Sequence, residues 1–252
     1  IWHRWSIPMF SASSFKEQIW LVVRRNARKL RDMMEAMAES GKPVDVFNLM
    51  NRFTLDTISE IGFGKCIGSL EDNTSPFLVA FDKAQQITFR RFFLPRWRLF
   101  RWLGVGSEKE TREHFGRLDT YARSLVRELY SGEAGSGTKV EGVVWDDVNS
   151  RRSFLGLVLE TAEKRGTCLS EDDLRDLMLN FLLAGRDPTA QALSWTLYCL
   201  CLHPEVEARV RREIVHVCGV RGPAYEDLER LPYLHAVLLE ALRLHPPLPL
   251  RT

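Results

Sequence analysis

The stretch Phe181-Leu182-Leu183-Ala184-Gly185-Arg186-Asp187-Pro188-Thr189-Ala190 sets two charges, a hydroxyl and a proline into an otherwise apolar run. On its N-terminal side, Ser170 with Asp173 three residues on has the form of a capping box. On its C-terminal side, His203-Pro204 supplies a stop, because the residue before a proline is pushed out of helical conformation. Room remains between them for about thirty residues of helix.

Leu174, Leu177, Met178, Phe181 and Leu182 share one face of that helix. Leu179, Leu183, Leu193, Trp195, Leu197, Leu200 and Leu202 carry the apolar character right round it. The pattern predicts a central helix buried on all sides. Arg186 and Asp187 then need partners, water or a cofactor, since an unpaired buried charge is costly. Pro188 has no N–H for the carbonyl of Ala184, and its ring crowds that carbonyl, at about 3 kcal/mol in a plain helix. A kink beside an acid is expected there, freeing one carbonyl and opening room for a ligand or water.

The string Ala184-Gly185-Arg186-Asp187-Pro188-Thr189 resembles the oxygen-activation motif of the cytochromes P-450, Ala/Gly-Gly-x-Asp/Glu-Thr-Thr/Ser, on the long helix that crosses their haem. Further on, Glu240-Ala241-Leu242-Arg243 and Leu244-His245-Pro246-Pro247 are similar to the family's Glu-x-x-Arg helix and its proline-rich exit. Order and separation both match, and the resemblance covers most of the chain.

The resemblance implies an all-α fold, the central segment of the cytochrome P-450 fold, built round the long helix and the Glu-x-x-Arg helix. It implies a haem cofactor, with Ala184, Gly185 and Pro188 on its distal side. The small residues there would admit oxygen. Asp187 would feed protons through water, which contributes about 10²–10⁴ in rate for acid assistance of this kind. The family's first Thr, which supplies the hydroxyl beside bound oxygen, is replaced by Pro188. Thr189 lies about 100° further round an ideal helix and substitutes for it only if the kink turns it inward. Either proton delivery is relocated, or monooxygenation is poor and the haem serves chemistry that needs no oxygen activation.

Glu240 and Arg243 are three apart, hence neighbours on one face. Exposed, such a pair adds little. The resemblance implies instead a buried pair with a third partner, a structural feature of the core beneath the haem, in which loss of one charge strands the other. Near the start, Ile1 to Phe10 resembles the end of the family's Trp-x-x-x-Arg helix, with Pro8-Met9-Phe10 as its close. The register puts the haem-propionate Arg at His3, with Arg4 next door as the candidate; both also read as surface residues. The family's iron ligand is a cysteine in a Phe-x-x-Gly-x-x-x-Cys-x-Gly loop. None of Cys66, Cys168, Cys199, Cys201 and Cys218 has that setting, so the chain holds no metal ligand and alone is expected to be inactive.

Asp45 caps a helix on which Val46, Leu49, Met50 and Phe53 share a face, with Gly62 and Gly64 at its end. Its Phe53-Thr54-Leu55-Asp56-Thr57-Ile58 and Phe63-Gly64 resemble the family's Thr-x-Asp-x-Ile, Phe-Gly segment. Amphipathic helices are also expected from Phe15 to Ala38 ending at Gly41, from Phe115 to Leu129, from Phe154 to Arg165, from Pro204 to Gly219 and from Pro232 to His245.

Between Ser75 and Gly106, aromatic residues (Phe89, Phe92, Phe93, Trp97, Phe100, Trp102) interleave with Arg90, Arg91, Arg96, Arg98 and Arg101. Three readings compete: stacking on nucleic acid, an interfacial membrane patch, and a partly buried helix pair with snorkelling arginines. Phe81 to Phe92 and Pro95-x-Trp97-x-Leu99 resemble the lid of the family's fatty-acid omega-hydroxylase clan, which implies a membrane surface and a long-chain fatty acid or similar lipid. Ser131 to Lys139, rich in Gly and Ser, opens a flexible loop over about residues 131–147.

At 252 residues the chain suffices for a large core. Thirty-five Lys plus Arg against 33 Asp plus Glu leave a net charge of +2, which argues against a nucleic-acid binder. The cysteines form no C-x-x-C pair and no secreted-type framework, so reduced, mostly buried thiols are expected. No apolar run reaches the length of a membrane span and no signal peptide is visible. The chain begins without an initiator methionine and looks like a segment of a longer protein, one partial domain over residues 1–252 whose N-terminal anchor and cysteine loop lie outside it.

The reading is a haem-dependent monooxygenase acting on a lipophilic substrate. The resemblance implies electrons from NADPH through a reductase partner, a monomer, and an endoplasmic reticulum membrane location. Two alternatives stand beside it: a haem-thiolate isomerase or dehydratase, and a non-catalytic helical module binding lipid or protein.

Overall fold

The computed structural model describes residues 13–72, 76–93, 108–129 and 153–248. Among these the structure is helical, with no strand. In chain order the helices are α1 (Ser13–Ser40), α2 (Val46–Phe63), α3 (Pro76–Phe93), α4 (Glu108–Leu129), α5 (Phe154–Lys164), α6 (Glu171–Leu202), α7 (Pro204–Cys218) and α8 (Pro232–Leu244). Short 3₁₀ turns at Gly219–Arg221 and Tyr225–Arg230 separate the last two. Arg4 and His3 of the first segment, and the loop over 131–147, lie outside the described residues.

Local chemistry sets the ends. Asn48 N–H donates to Asp45 Oδ1 at 2.9 Å, which caps α2 as expected. At the start of α6, Asp173 N–H donates to Ser170 Oγ at 3.1 Å and Ser170 N–H donates back to Asp173 Oδ2 at 3.0 Å, the reciprocal box read from the sequence. The Ser170 hydroxyl, donating to Asp173 Oδ2 at 2.6 Å, and the Ser170 N–H together hold the Asp173 carboxyl below its ordinary range. Glycines with positive φ follow the ends of α1 and α7, at Gly41 and Gly219.

Two compact units divide the chain: Ile1–Gln18 with Ser59–Leu182, and Ile19–Ile58 with Leu183–Thr252. The boundary falls inside α2 and inside α6. In the first unit, α3 buries Phe77, Leu78, Ala80, Phe81, Ala84 and Ile87 and packs on α4, which buries Leu118, Ala122, Leu125 and Val126. Of the aromatic and basic run itself, Phe89 is exposed, and residues 94–107, with Trp97, Phe100 and Trp102, lie outside the described residues. Ion pairs tie α4 to the first turns of α6: Arg123 reaches Asp119, Asp172 and Glu171, and Arg175 reaches Asp119. In the second unit, Trp20 of α1 meets Tyr225 edge to face at 6.1 Å, and α7 packs on α8 with Arg209 4.1 Å over the Tyr233 ring.

The all-round burial expected of α6 is not found. Leu174, Leu177, Met178, Leu182, Arg186, Ala190 and Thr196 are buried, while Leu183, Trp195, Tyr198 and Leu202 are exposed. A helix apolar on every side needs cover on every side, and the described residues cover one.

Candidate functional site

Helix α6 runs on through Pro188 as α-helix, so the residues after the proline keep helical register. Pro188 stands one turn after Ala184, and Thr189 one turn after Gly185. Ala184 is exposed and Pro188 half-buried, so this stripe presents only short side chains. Asp187 flanks it, its side chain 27% exposed. Thr189 is exposed and at ideal helical spacing stands on the neighbouring stripe.

Gly185 packs closely against a neighbouring helix. A Cβ there would lie 2.4 Å from Cγ1 and Cδ1 of Ile58 on α2. The position thus has a packing reason to be small, beside the expectation that its smallness admits oxygen. One turn away along both helices, a Cβ on Gly62 would lie 2.8 Å from the ring of Phe181. Phe181 also stacks on Phe154 at 4.5 Å and meets Phe63 edge to face at 6.1 Å.

Arg186 is 2% exposed. Its Nε donates to the Asn51 carbonyl at 3.4 Å and its guanidinium lies 3.6 Å from Asp187 Oδ1. The buried charge expected to need a partner thus finds them within the protein, an α2 carbonyl behind it and the acid beside it. Asn51 was not singled out by the sequence, and Ile58 stood there only as the last residue of the Thr-x-Asp-x-Ile segment; the contacts both make to α6 join helices distant in the chain.

Glu240 and Arg243 form the pair that their spacing predicts. Arg243 Nε donates to Glu240 Oε2 at 2.7 Å and a second guanidinium nitrogen to Oε1 at 2.6 Å. Hydrogen bonding from Arg243 holds the Glu240 carboxyl below its ordinary range. The expected burial and third partner are absent among the described residues, since the side chains are 56% and 67% exposed. At its other end α8 is held by a carboxylate of α7. There the N–H groups of Tyr233 and Leu234 donate to the two oxygens of Glu213 on α7, at 2.9 and 2.8 Å. Near its C-terminus, His245 stacks on Trp195 of α6, the rings 4.0 Å apart and 5° from parallel.

Thiols are less buried than expected. Cys66, Cys168 and Cys201 are exposed, Cys199 is partly so and Cys218 is buried. Among the described residues no cluster of His, Cys, Asp and Glu could hold a metal ion, and no helix is long and apolar enough to cross a membrane.

The sequence pattern of the cytochrome P-450 family matches residues 3–252, and the chain belongs to that family. It is 30% identical over 242 residues to cytochrome P-450 86B1 of Arabidopsis thaliana, covering 88% of this chain and 41% of that protein. To cytochrome P-450 704C1 of Pinus taeda it is 31% identical over 267 residues, covering 95% of this chain and 49% of that one. The crystal structure of a cytochrome P-450DA heme domain superposes with a TM-score of 0.67 at 27% identity, over 91% of this chain and 45% of that domain. The chain therefore spans about half the length of the relatives it matches.

Members of the family bind haem through a cysteine thiolate. The residues present are compatible with one face of such a group: Ala184 is exposed, Pro188 half-buried, both carry short side chains, and the Asp187 carboxylate borders them.

Proposed function

We propose that this chain is part of a haem-dependent monooxygenase that hydroxylates a lipophilic substrate, a long-chain fatty acid or related lipid. Electrons come from NADPH through a reductase partner at the endoplasmic reticulum membrane. Family membership supports the reaction class. The likeness of Phe81 to Phe92 to a fatty-acid hydroxylase lid supports the substrate class.

The observation that carries the reading is the half-exposed Asp187 beside the Ala184–Pro188 stripe, held from behind by Arg186. Haem, when bound, supplies activation of dioxygen and insertion of one oxygen atom into a C–H bond. Ala184 and Pro188 would line its distal side. The Asp187 carboxylate, open to water on one side and 3.6 Å from the Arg186 guanidinium on the other, is placed to take up a proton from solvent and pass it inward. Arg4 is the candidate for a haem propionate, and Glu240 and Arg243 act structurally through α8. The family's iron ligand is a cysteine, and none of the five here has the expected setting, so the 252 residues alone are expected neither to hold haem nor to turn over.

The stripe carries no hydroxyl, with Pro188 at the place of the family's threonine, and this favours a second reading, a haem-thiolate isomerase or dehydratase. The test is expression of the complete reading frame with a reductase. A thiolate-type carbon-monoxide difference spectrum with NADPH-dependent hydroxylation of fatty acids supports the first reading. The same spectrum with turnover of lipid hydroperoxides and no need for NADPH supports the second. Absence of any haem spectrum sinks both and leaves a non-catalytic lipid- or protein-binding module.

A further inference from the structure

We infer that Ile58 is the positioning residue for the motif stretch of α6, and that Gly185 is glycine because the Ile58 side chain stands where its Cβ would be. The obstruction consists of two carbons. Cγ1 and Cδ1 of Ile58 would each lie 2.4 Å from a Cβ at 185, a separation that real side chains do not reach, whereas the Ile58 Cβ would lie at 3.4 Å, the edge of ordinary contact. Removing those outer carbons makes room for an alanine.

Helix α2 has little freedom to retreat from such a clash, because Leu55, Asp56 and Thr57 beside Ile58 are buried. Packed interiors respond to one added methyl by shifting neighbouring backbone. On α6 Leu182 and Arg186 are buried too, but Ala184 is exposed and Asp187 and Pro188 half-buried, so α6 has an open side toward which to shift. Arg186 and Asp187 follow Gly185 directly, so displacement at 185 carries the acid with it. Ile58 thus sets the depth of Asp187 from behind the helix, and the opening for a small ligand in front belongs to Ala184. The consequence for proton delivery rests on the monooxygenase reading; the contact between Ile58 and Gly185 does not.

The test is a double-mutant cycle in the complete protein, comparing the parent with Gly185→Ala, Ile58→Ala and the combination. Two readouts are taken: the thermal midpoint by circular dichroism and product formed per NADPH consumed. Gly185→Ala is expected to lower the midpoint by roughly 5 °C and to lower the product yield. Ile58→Ala introduced into Gly185→Ala is expected to recover both. A double variant whose midpoint falls by the sum of the single losses shows that the two residues share no contact and overturns the inference. Recovery of the midpoint without the product yield overturns the positioning role. Should Gly185→Ala fail to fold, folding of the double variant supports the contact and its failure refutes it. The thermal cycle is read with or without haem, so its outcome is separate from failure of the haem reading, which shows as a parent lacking the thiolate spectrum.

Discussion

Glu213 on α7 accepts the backbone N–H of Tyr233 at 2.9 Å, and with its other oxygen that of Leu234 at 2.8 Å. A side chain from one helix thereby caps the next. Helix α8 opens with Pro232, has no capping side chain of its own, and carries Glu240 and Arg243 near its far end. Its first free N–H groups would otherwise face the packed α7 surface without an acceptor.

Glu213→Ala should therefore destabilise the protein by about 1–2 kcal/mol, the ordinary cost of a lost cap. Glu213→Gln, which keeps one acceptor oxygen, should recover part of that loss. Chemical denaturation of the three proteins, with equal m-values, checks it. No difference between parent and alanine variant would show that the cap is dispensable.

Arg186 should tolerate substitution poorly. Its side chain is buried, touches the Asn51 carbonyl and lies beside Asp187. Arg186→Ala removes a large buried stem and an ionic neighbour at once, and should cost about 2–4 kcal/mol. Arg186→Met, which restores the volume without the charge, should cost less. Equal losses in the two variants would assign the whole effect to the charge.

Acid should loosen the turn between α7 and α8. Asp227 is buried, accepts from Arg221 at 2.8 Å and from the Ala224 N–H at 2.9 Å, and is held by these bonds below its ordinary value of 3.8. A carboxylate with a depressed folded pKa contributes stability that is present above 3.8 and is lost as the pH falls through the lowered value. Asp227→Asn should be less stable than the parent at neutral pH and show a shallower loss of stability below about pH 4. A parallel pair of acid-unfolding curves would contradict this.

Pro188→Thr should raise product formed per NADPH, because it puts a hydroxyl on the Ala184 stripe. Thr189→Ala should change that ratio by less than about twofold, because residue 189 follows the Gly185 stripe at helical spacing. A large loss in Thr189→Ala with no gain in Pro188→Thr would mean that Thr189 already delivers the proton.

Helix ends were legible because their causes are local. Ser170 with Asp173, Asp45, and the prolines at 204 and 232 each act within a few residues, and the observed bounds of α2, α6, α7 and α8 follow them. The family was legible because two motifs stand in order at a set separation. What stayed hidden depends on partners far along the chain. The packing of Gly185 shows only once Ile58 is placed against it. Arg186 reads as a charge needing a partner, water or a cofactor, and only the fold shows the Asn51 carbonyl behind it. The third partner expected of Glu240 and Arg243 is likewise not found among the described residues.

The face-to-face contact of Trp195 and His245 joins the oxygen-motif helix to the proline-rich exit, two stretches that the sequence separates widely. Indole emission responds to an imidazole in van der Waals stacking and loses that response once the rings part. The molecule therefore carries its own optical gauge: fluorescence assigned to Trp195, by comparison with Trp195→Phe, reports the closing and parting of the helix carrying Asp187 and the helix carrying Glu240 without any added label.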